Sequence, residues 1–230
     1  VATRLTRGGQ ELPVAPPAAA VDVPAGGEVV AEQALTLAAE HVRRWQLDAP
    51  ELYSARTIAG EHAADAVTFG IRRFEARGTQ LLLNGHPVRL AGANWHASHP
   101  DWGQNQPAAG VIRDLQLMKE GGFVLQRFAH YPVSPVILDW ADRHGMLIIA
   151  EAGNTGGTAE QLASEGRRTT FRAHHRGMME RDWNHPSVIA WSVGNEFAAD
   201  TPAGIVWVKE MVAFTRGLDA ARPVTFVSNT

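Results

Sequence analysis

The octapeptide Ala190–Phe197, AWSVGNEF, runs an apolar stretch into an amide and a carboxylate side by side, Asn195 and Glu196. Such a pair buries badly unless something needs it, so it either caps a turn or does chemistry. A carboxyl group held at the end of a strand is suited to moving protons. Polar residues stand at matching places past other short apolar runs: Asn94 and His96, Arg127 and His130, Glu151, and Ser228 with Asn229. Each has a plainer reading. Arg127 is open between bridging Glu196 or Glu151 and contacting a ligand, and Glu151 reads as an interior partner for an arginine. His130 taken alone is a structural histidine. His174 and His175 read as surface and core positions of one helix, and His96 is favoured over His99 for a site.

These residues need elements to bring them together. Residues 1–75 are rich in Ala, Val, Pro and Gly. Short strand-like pieces at Glu28–Glu32 and Ala66–Ile71 are separated by loop material such as QELPVAPPAAAVDVPAGG. The segment AEQALTLAAEHVRRW is ambiguous. Short strands at this spacing predict part of a β-sandwich. From Leu81 the pattern becomes strand, helix, strand. Strands are predicted at Val88–Ala93, Phe123–Phe128, Met146–Ala150, Val188–Val193 and Val224–Ser228, each nearly continuous in apolar residues, as buried parallel strands are. Helices between them carry punctuation. Val111, Leu115 and Met118 share a face, Ser134-Pro135 and Thr201-Pro202 open helices, and Gly145 closes one. The first strand leads into GANWH, with no GxGxxG or P-loop, so a (β/α) barrel fits better than an open nucleotide-binding sheet. In a barrel the strand C-termini share one mouth, where active sites sit.

Composition sets few limits. The 230 residues are 45% hydrophobic and 20% charged with a formal charge of -3, and no concentrated basic face points to a nucleic-acid partner. No apolar run reaches the roughly 18 residues needed to cross a bilayer. Zero Cys excludes a disulfide framework and a thiolate nucleophile, while the compartment, cytoplasmic or periplasmic and secreted, stays open. A first residue of Val and a last run PVTFVSNT are expected of an excerpt from a longer chain.

Three runs, FGIRRFEARGTQLLLNGHPVRLAGANWHASHP, RFAHYPVSPVILDWADRHGMLIIAE and RDWNHPSVIAWSVGNE, resemble in that order glycoside hydrolase family 2. That family holds β-galactosidases, β-glucuronidases and β-mannosidases. With WQLDAPELY as the end of the family's immunoglobulin-like domain, the resemblance covers about residues 45–230. It implies a partial immunoglobulin-like β-sandwich at 1–75 and the N-terminal part of an eight-stranded TIM barrel, about five strands, at 76–230. It implies Glu196 as general acid/base and Asn195 as a hydrogen-bond partner of the sugar 2-hydroxyl. Arg127, His130 and Tyr131 would lie near the sugar subsite after strand 2, with Asn94 and His96 after strand 1. The family's nucleophile, a second Glu after strand 7, falls beyond this sequence. Magnesium-binding β-galactosidases carry Glu and His where Thr155 and Gly157 stand here, so no such metal is expected, nor any cofactor.

The implied function is a retaining exo-β-glycosidase for galactosides or glucuronides, acting on a carbohydrate without nucleic-acid or membrane partners. DWADRHG before an Ile-Ile strand leans toward the glucuronidase branch. A homo-oligomer of the complete protein is left open. Two other readings stand beside it: an endo-acting cellulase- or mannanase-like barrel, against which FGIRRF argues, and a carbohydrate-binding pseudoenzyme. Retaining hydrolysis needs an acid whose pKa is raised by burial or a neighbouring carboxylate, so Glu196 is expected to be partly dehydrated at the barrel rim. Trp95, Trp102 and Trp191 are available as sugar platforms.

Overall fold

A computed structural model describes residues 1–14, 20–105 and 107–228. Asn229, one of the polar residues singled out above, lies outside them. The first part is a five-stranded antiparallel sheet of β1 (Ala2–Arg7), β2 (Gln10–Glu11), β3 (Tyr53–Ala59), β4 (His62–Ala63) and β5 (Val67–Phe69). Leu5, Leu12 and Tyr53 form its small core. Residues 28–32 form no strand, contrary to expectation, and Val30 is 89% exposed. Their β-branched residues find no partner edge, and strand preference is a matter of packing rather than of the backbone alone. The ambiguous segment is not a regular helix either: it holds a 3-10 turn, Ala39–His41, and a bridge between Val14 and Leu37.

A second antiparallel sheet, β6 (Phe74–Arg77), β7 (Gln80–Leu83) and β8 (His86–Pro87), leads into the parallel part. There the order is β9 (Gly92–His96), α1 (Ala108–Glu120), β10 (Leu125–Ala129), α2 (Pro135–His144), β11 (Leu147–Glu151), α3 (Ala159–Ala163), α4 (Glu165–Asp182), β12 (Val188–Asn195), α5 (Pro202–Leu218) and β13 (Val224–Val227). The five strands pair in parallel in the order β13-β12-β11-β10-β9. They make a partial TIM barrel, open at β9 and β13. The first strand begins four residues later than predicted. Val88 and Leu90 pack instead into the floor cluster, and Gly92 starts the ladder opposite Leu125.

Two apolar layers hold this sheet. On the helix side Leu115, Phe128, Ile137, Leu138, Met179, Trp191 and Trp207 are buried together. At the N-terminal ends of the strands Trp45, Phe74, Leu83, Leu147 and Ile189 form a floor that joins the antiparallel parts to the barrel. Trp45 Nε1 donates to Asp142 O at 2.8 Å, and Arg72 donates to Pro186 O at 2.9 Å and to Val188 O. Gly145 ends α2 in the left-handed region (φ 65), and a Cβ there would lie 1.9 Å from Leu47 O. Only glycine allows that approach. Among the described residues no helix is long and apolar enough to cross a membrane.

Candidate active site

The C-terminal ends of β9 to β12 converge on one buried guanidinium. Register sets Arg127 beside Asn94 on β9 and Ile149 on β11, and Glu151 beside Ser192 on β12. Residues two apart share a face of a strand, so Glu151 reaches Arg127 across the ladder. Arg127 Nε donates to Glu151 Oε2 at 3.2 Å, and Nη2 donates to Oε1 at 2.9 Å and Oε2 at 2.8 Å. The Glu151 side chain is fully buried and that of Arg127 is 9% exposed. Of the two bridges open to Arg127, the structure makes the one to Glu151. Ser192 Oγ donates to Glu151 Oε2 as well, so the carboxylate is saturated with donors.

The guanidinium then organises its neighbours. Nη1 donates to Asn94 Oδ1 at 3.2 Å and Nη2 to Asn195 Oδ1 at 2.8 Å. His130 Nδ1 sits 3.1 Å from both Arg127 Nη2 and Glu151 Oε1. The two hydrogens of Nη2 serve Glu151 and Asn195, so we assign a proton on Nδ1 to a bond with Glu151. His96 meets His130 edge to face with ring centroids 5.1 Å apart. Tyr131 is placed differently: its hydroxyl accepts from Ala97 N at 2.9 Å and ties the chain after β9 to that after β10. The peptide joining Ala129 and His130 is cis.

Asn195 and Glu196 owe their positions to a break in β12. The pairing with β13 shifts between Ser192 and Asn195, and Gly194 has φ 147. Such a bulge re-aims the side chains that follow it. Ser192 and Asn195, an odd number of residues apart, therefore reach the same Arg127–Glu151 cluster. A Cβ on Gly194 would stand 2.6 Å from Asn154 Nδ2. Glu196 itself is in the left-handed region (φ 47), a conformation costing of order 1–3 kcal/mol for such a residue and concentrated at functional sites. Its N–H donates to Val227 O at 2.9 Å. The side chain is exposed, not dehydrated as expected, because β13 beside it is an edge of the sheet.

Other candidates fall outside this cluster. Trp191 is buried in the helix layer with Nε1 on Asp219, and Trp95 packs on Phe128 with Nε1 on Asp114, so neither is a platform. Trp102 is 44% exposed but stacked on His99 at 3.9 Å. His175 is buried and His174 exposed, as their helical spacing predicts. Burial pulls the His175 pKa down to about 4. Asp139, Asp142 and His185 bring three potential metal-ligand atoms together at the opposite end of β12. Two of the three are already engaged: Asp142 accepts from His185 Nδ1 at 2.6 Å and from Ser187 N at 3.0 Å. Burial would lower the His185 pKa, but the bond to Asp142 raises it overall. Two members of the cluster, Ser192 and Thr155, stand out little in the sequence. Ser192 is signalled by strand alternation, since Trp191 and Val193 face the helices. Thr155, whose hydroxyl accepts from Asn195 Nδ2 at 3.2 Å, gives no pattern of its own.

The family model for the TIM barrel domain of glycosyl hydrolases family 2 matches residues 74–230. Among solved structures, a GH2 β-galacturonidase from Eisenbergiella tayi bound to galacturonate is 26% identical with a TM-score of 0.82, over 99% of this chain and 40% of that one. A β-D-glucuronidase of Dictyoglomus thermophilum is 30% identical with a TM-score of 0.78, over 86% and 36%. A β-glucuronidase from Ruminococcus gnavus in complex with D-glucaro 1,5-lactone is 29% identical with a TM-score of 0.78, over 98% and 37%. The chain thus spans about two fifths of the length of these structures.

Proposed function

This chain belongs to glycosyl hydrolases family 2, and on that premise we propose that the whole protein is a retaining exo-β-glycosidase acting on terminal β-linked uronides, glucuronides first. Two carboxyl groups are needed, about 5–5.5 Å apart: one protonates the departing oxygen, the other attacks the anomeric carbon and is later displaced by water. Glu196 is the first. Glu151 is not the second, because both its oxygens are held by Arg127 and Ser192. The attacking carboxylate comes from a part of the protein beyond these 230 residues. Asn195 binds the sugar 2-hydroxyl, a contact that tightens as the ring flattens and so lowers the barrier more than it strengthens binding. Asn94, His96, His130 and Tyr131 border the sugar, and Arg127 acts through Asn94 and Asn195.

The observation that carries this reading is the convergence on one guanidinium of Asn94, His130, Glu151 and Asn195, the last immediately before Glu196. The choice of uronides follows the neighbours, a β-galacturonidase and two β-glucuronidases. The five-stranded sheet before the barrel is read as part of an immunoglobulin-like domain. The test is a panel of nitrophenyl β-glycosides on the full-length protein. Turnover of the glucuronide or galacturonide well above the galactoside supports the proposal; turnover of none of them removes it and favours a binding protein.

A further inference from the structure

Resting on that reading, we propose that Thr155 is a positioning residue that, together with Arg127, fixes which end of the Asn195 amide meets the sugar. An asparagine amide has an acceptor end and a donor end of nearly the same shape, and its use in recognition depends on which is presented. Here both ends are committed by partners of opposite character. Arg127 has hydrogens and no acceptor, so only Oδ1 of Asn195 is compatible with its Nη2 at 2.8 Å. Thr155 Oγ1, 3.2 Å from Nδ2, receives one of the two amide hydrogens. The amide therefore turns its oxygen toward Arg127 and keeps one hydrogen free, which matches it to the oxygen of a hydroxyl.

The backbone of residues 154–156 is held beside Asn195 without help from the Thr155 hydroxyl. Residues 154–156 run alongside the end of β12: Asn195 N donates to Asn154 O at 2.7 Å, Gly156 N donates to Asn195 O at 3.0 Å, and Thr155 bridges Asn195 in parallel. Exchanging threonine for valine keeps the branched shape and these backbone bonds but removes the acceptor. Serine restores the acceptor without the methyl group. Turning the amide would set its hydrogens against the guanidinium, so loss of Thr155 loosens the amide plane rather than inverting it.

The test compares kcat/KM of the full-length protein for p-nitrophenyl β-D-glucuronide and its 2-deoxy counterpart. In the wild type the ratio measures what the 2-hydroxyl contributes. For Thr155→Val the ratio is expected to fall about tenfold through the glucuronide alone, the 2-deoxy substrate reacting at its wild-type rate, and Thr155→Ser is expected to recover most of it. A fall shared equally by both substrates would make Thr155 merely structural, and an unchanged ratio would leave the amide orientation independent of it; either overturns the proposal while the glycosidase reading stands. A wild-type protein that turns over neither these substrates nor any other glycoside of the panel overturns the glycosidase reading and this role with it.

Discussion

Removing Glu151 leaves Arg127 buried, charged and surrounded by neutral groups. The guanidinium keeps Asn94, Asn195 and His130, none of which carries a compensating negative charge. Breaking a buried pair from one side typically costs 3–5 kcal/mol, so Glu151→Leu and Arg127→Met should each lose about that much. Together the single changes sum to roughly 6–10 kcal/mol. The double variant has no orphaned charge. It loses the bonds from Arg127 to Asn94 and Asn195 and from Ser192 and His130 to Glu151, at about 1 kcal/mol each, and regains part of that in apolar contact. A net cost of about 1–3 kcal/mol follows, and a coupling energy of at least about 3 kcal/mol. Urea unfolding of the four full-length proteins, followed by the fluorescence of the barrel tryptophans Trp140, Trp191 and Trp207, reads this cycle. Turnover should vanish in the double variant although stability returns, because the Asn195 amide has lost its anchor. Additive losses, with coupling below about 1 kcal/mol, would refute the picture of one ion pair organising the site.

Further outcomes follow from single residues or edges. His175 resists protonation in the folded state, its pKa lowered by burial to about 4 from 6.5. Its contribution is present above pH 6.5 and lost as pH falls toward 4, where the unfolded chain binds the proton and the folded one does not; the full loss is about 3 kcal/mol. Melting temperatures measured from pH 7 to 4 should fall less steeply for His175→Gln, and parallel curves would contradict this. The His185 shift runs the other way, its stabilisation present at acid pH and lost as pH rises through the raised value. Gly194→Ala forces a side chain into φ 147 and against Asn154, at roughly 1–3 kcal/mol, and should lower kcat in the full-length protein more than it raises KM. The isolated 230-residue chain should hydrolyse no nitrophenyl glycoside and should self-associate, since β9 and β13 present unpaired edges; a monodisperse, active preparation would count against it.

The parallel strands were legible because burial on both faces leaves the sequence little choice. Leu147–Glu151 and Val188–Asn195 are apolar almost throughout, and Gly145 and the Pro after Ser134 and Thr201 mark helix ends as their backbone chemistry requires. Ser134 gives no side-chain cap, however, while Thr201 accepts from Gly204 N. Strand β9 was misplaced because it is a site strand at an open edge. Its own residues, Gly92 to His96, make no apolar run, and the apolar residues just before it belong to the floor. Helix α3 was missed for its five residues, although Thr158 and Gln161 form a capping box, the one local signal available. At the site, residue types were readable and their pairing was not. Arg127 could have faced either Glu151 or Glu196, and the choice rests on strand register and on a bulge at 192–195 that alternation alone does not reveal.

The central claim is that Glu196 hands a proton to the departing oxygen. Its test is Glu196→Gln in the full-length protein, measured as kcat/KM over substrates with leaving groups from alkyl alcohols to dinitrophenol. That parameter ends at the glycosyl-enzyme, so the later base role of the same residue does not enter. The expected loss is about 10²–10⁴-fold with alkyl leaving groups and shrinks to less than about tenfold with dinitrophenol, which departs without a proton. An equal loss across the series would contradict it.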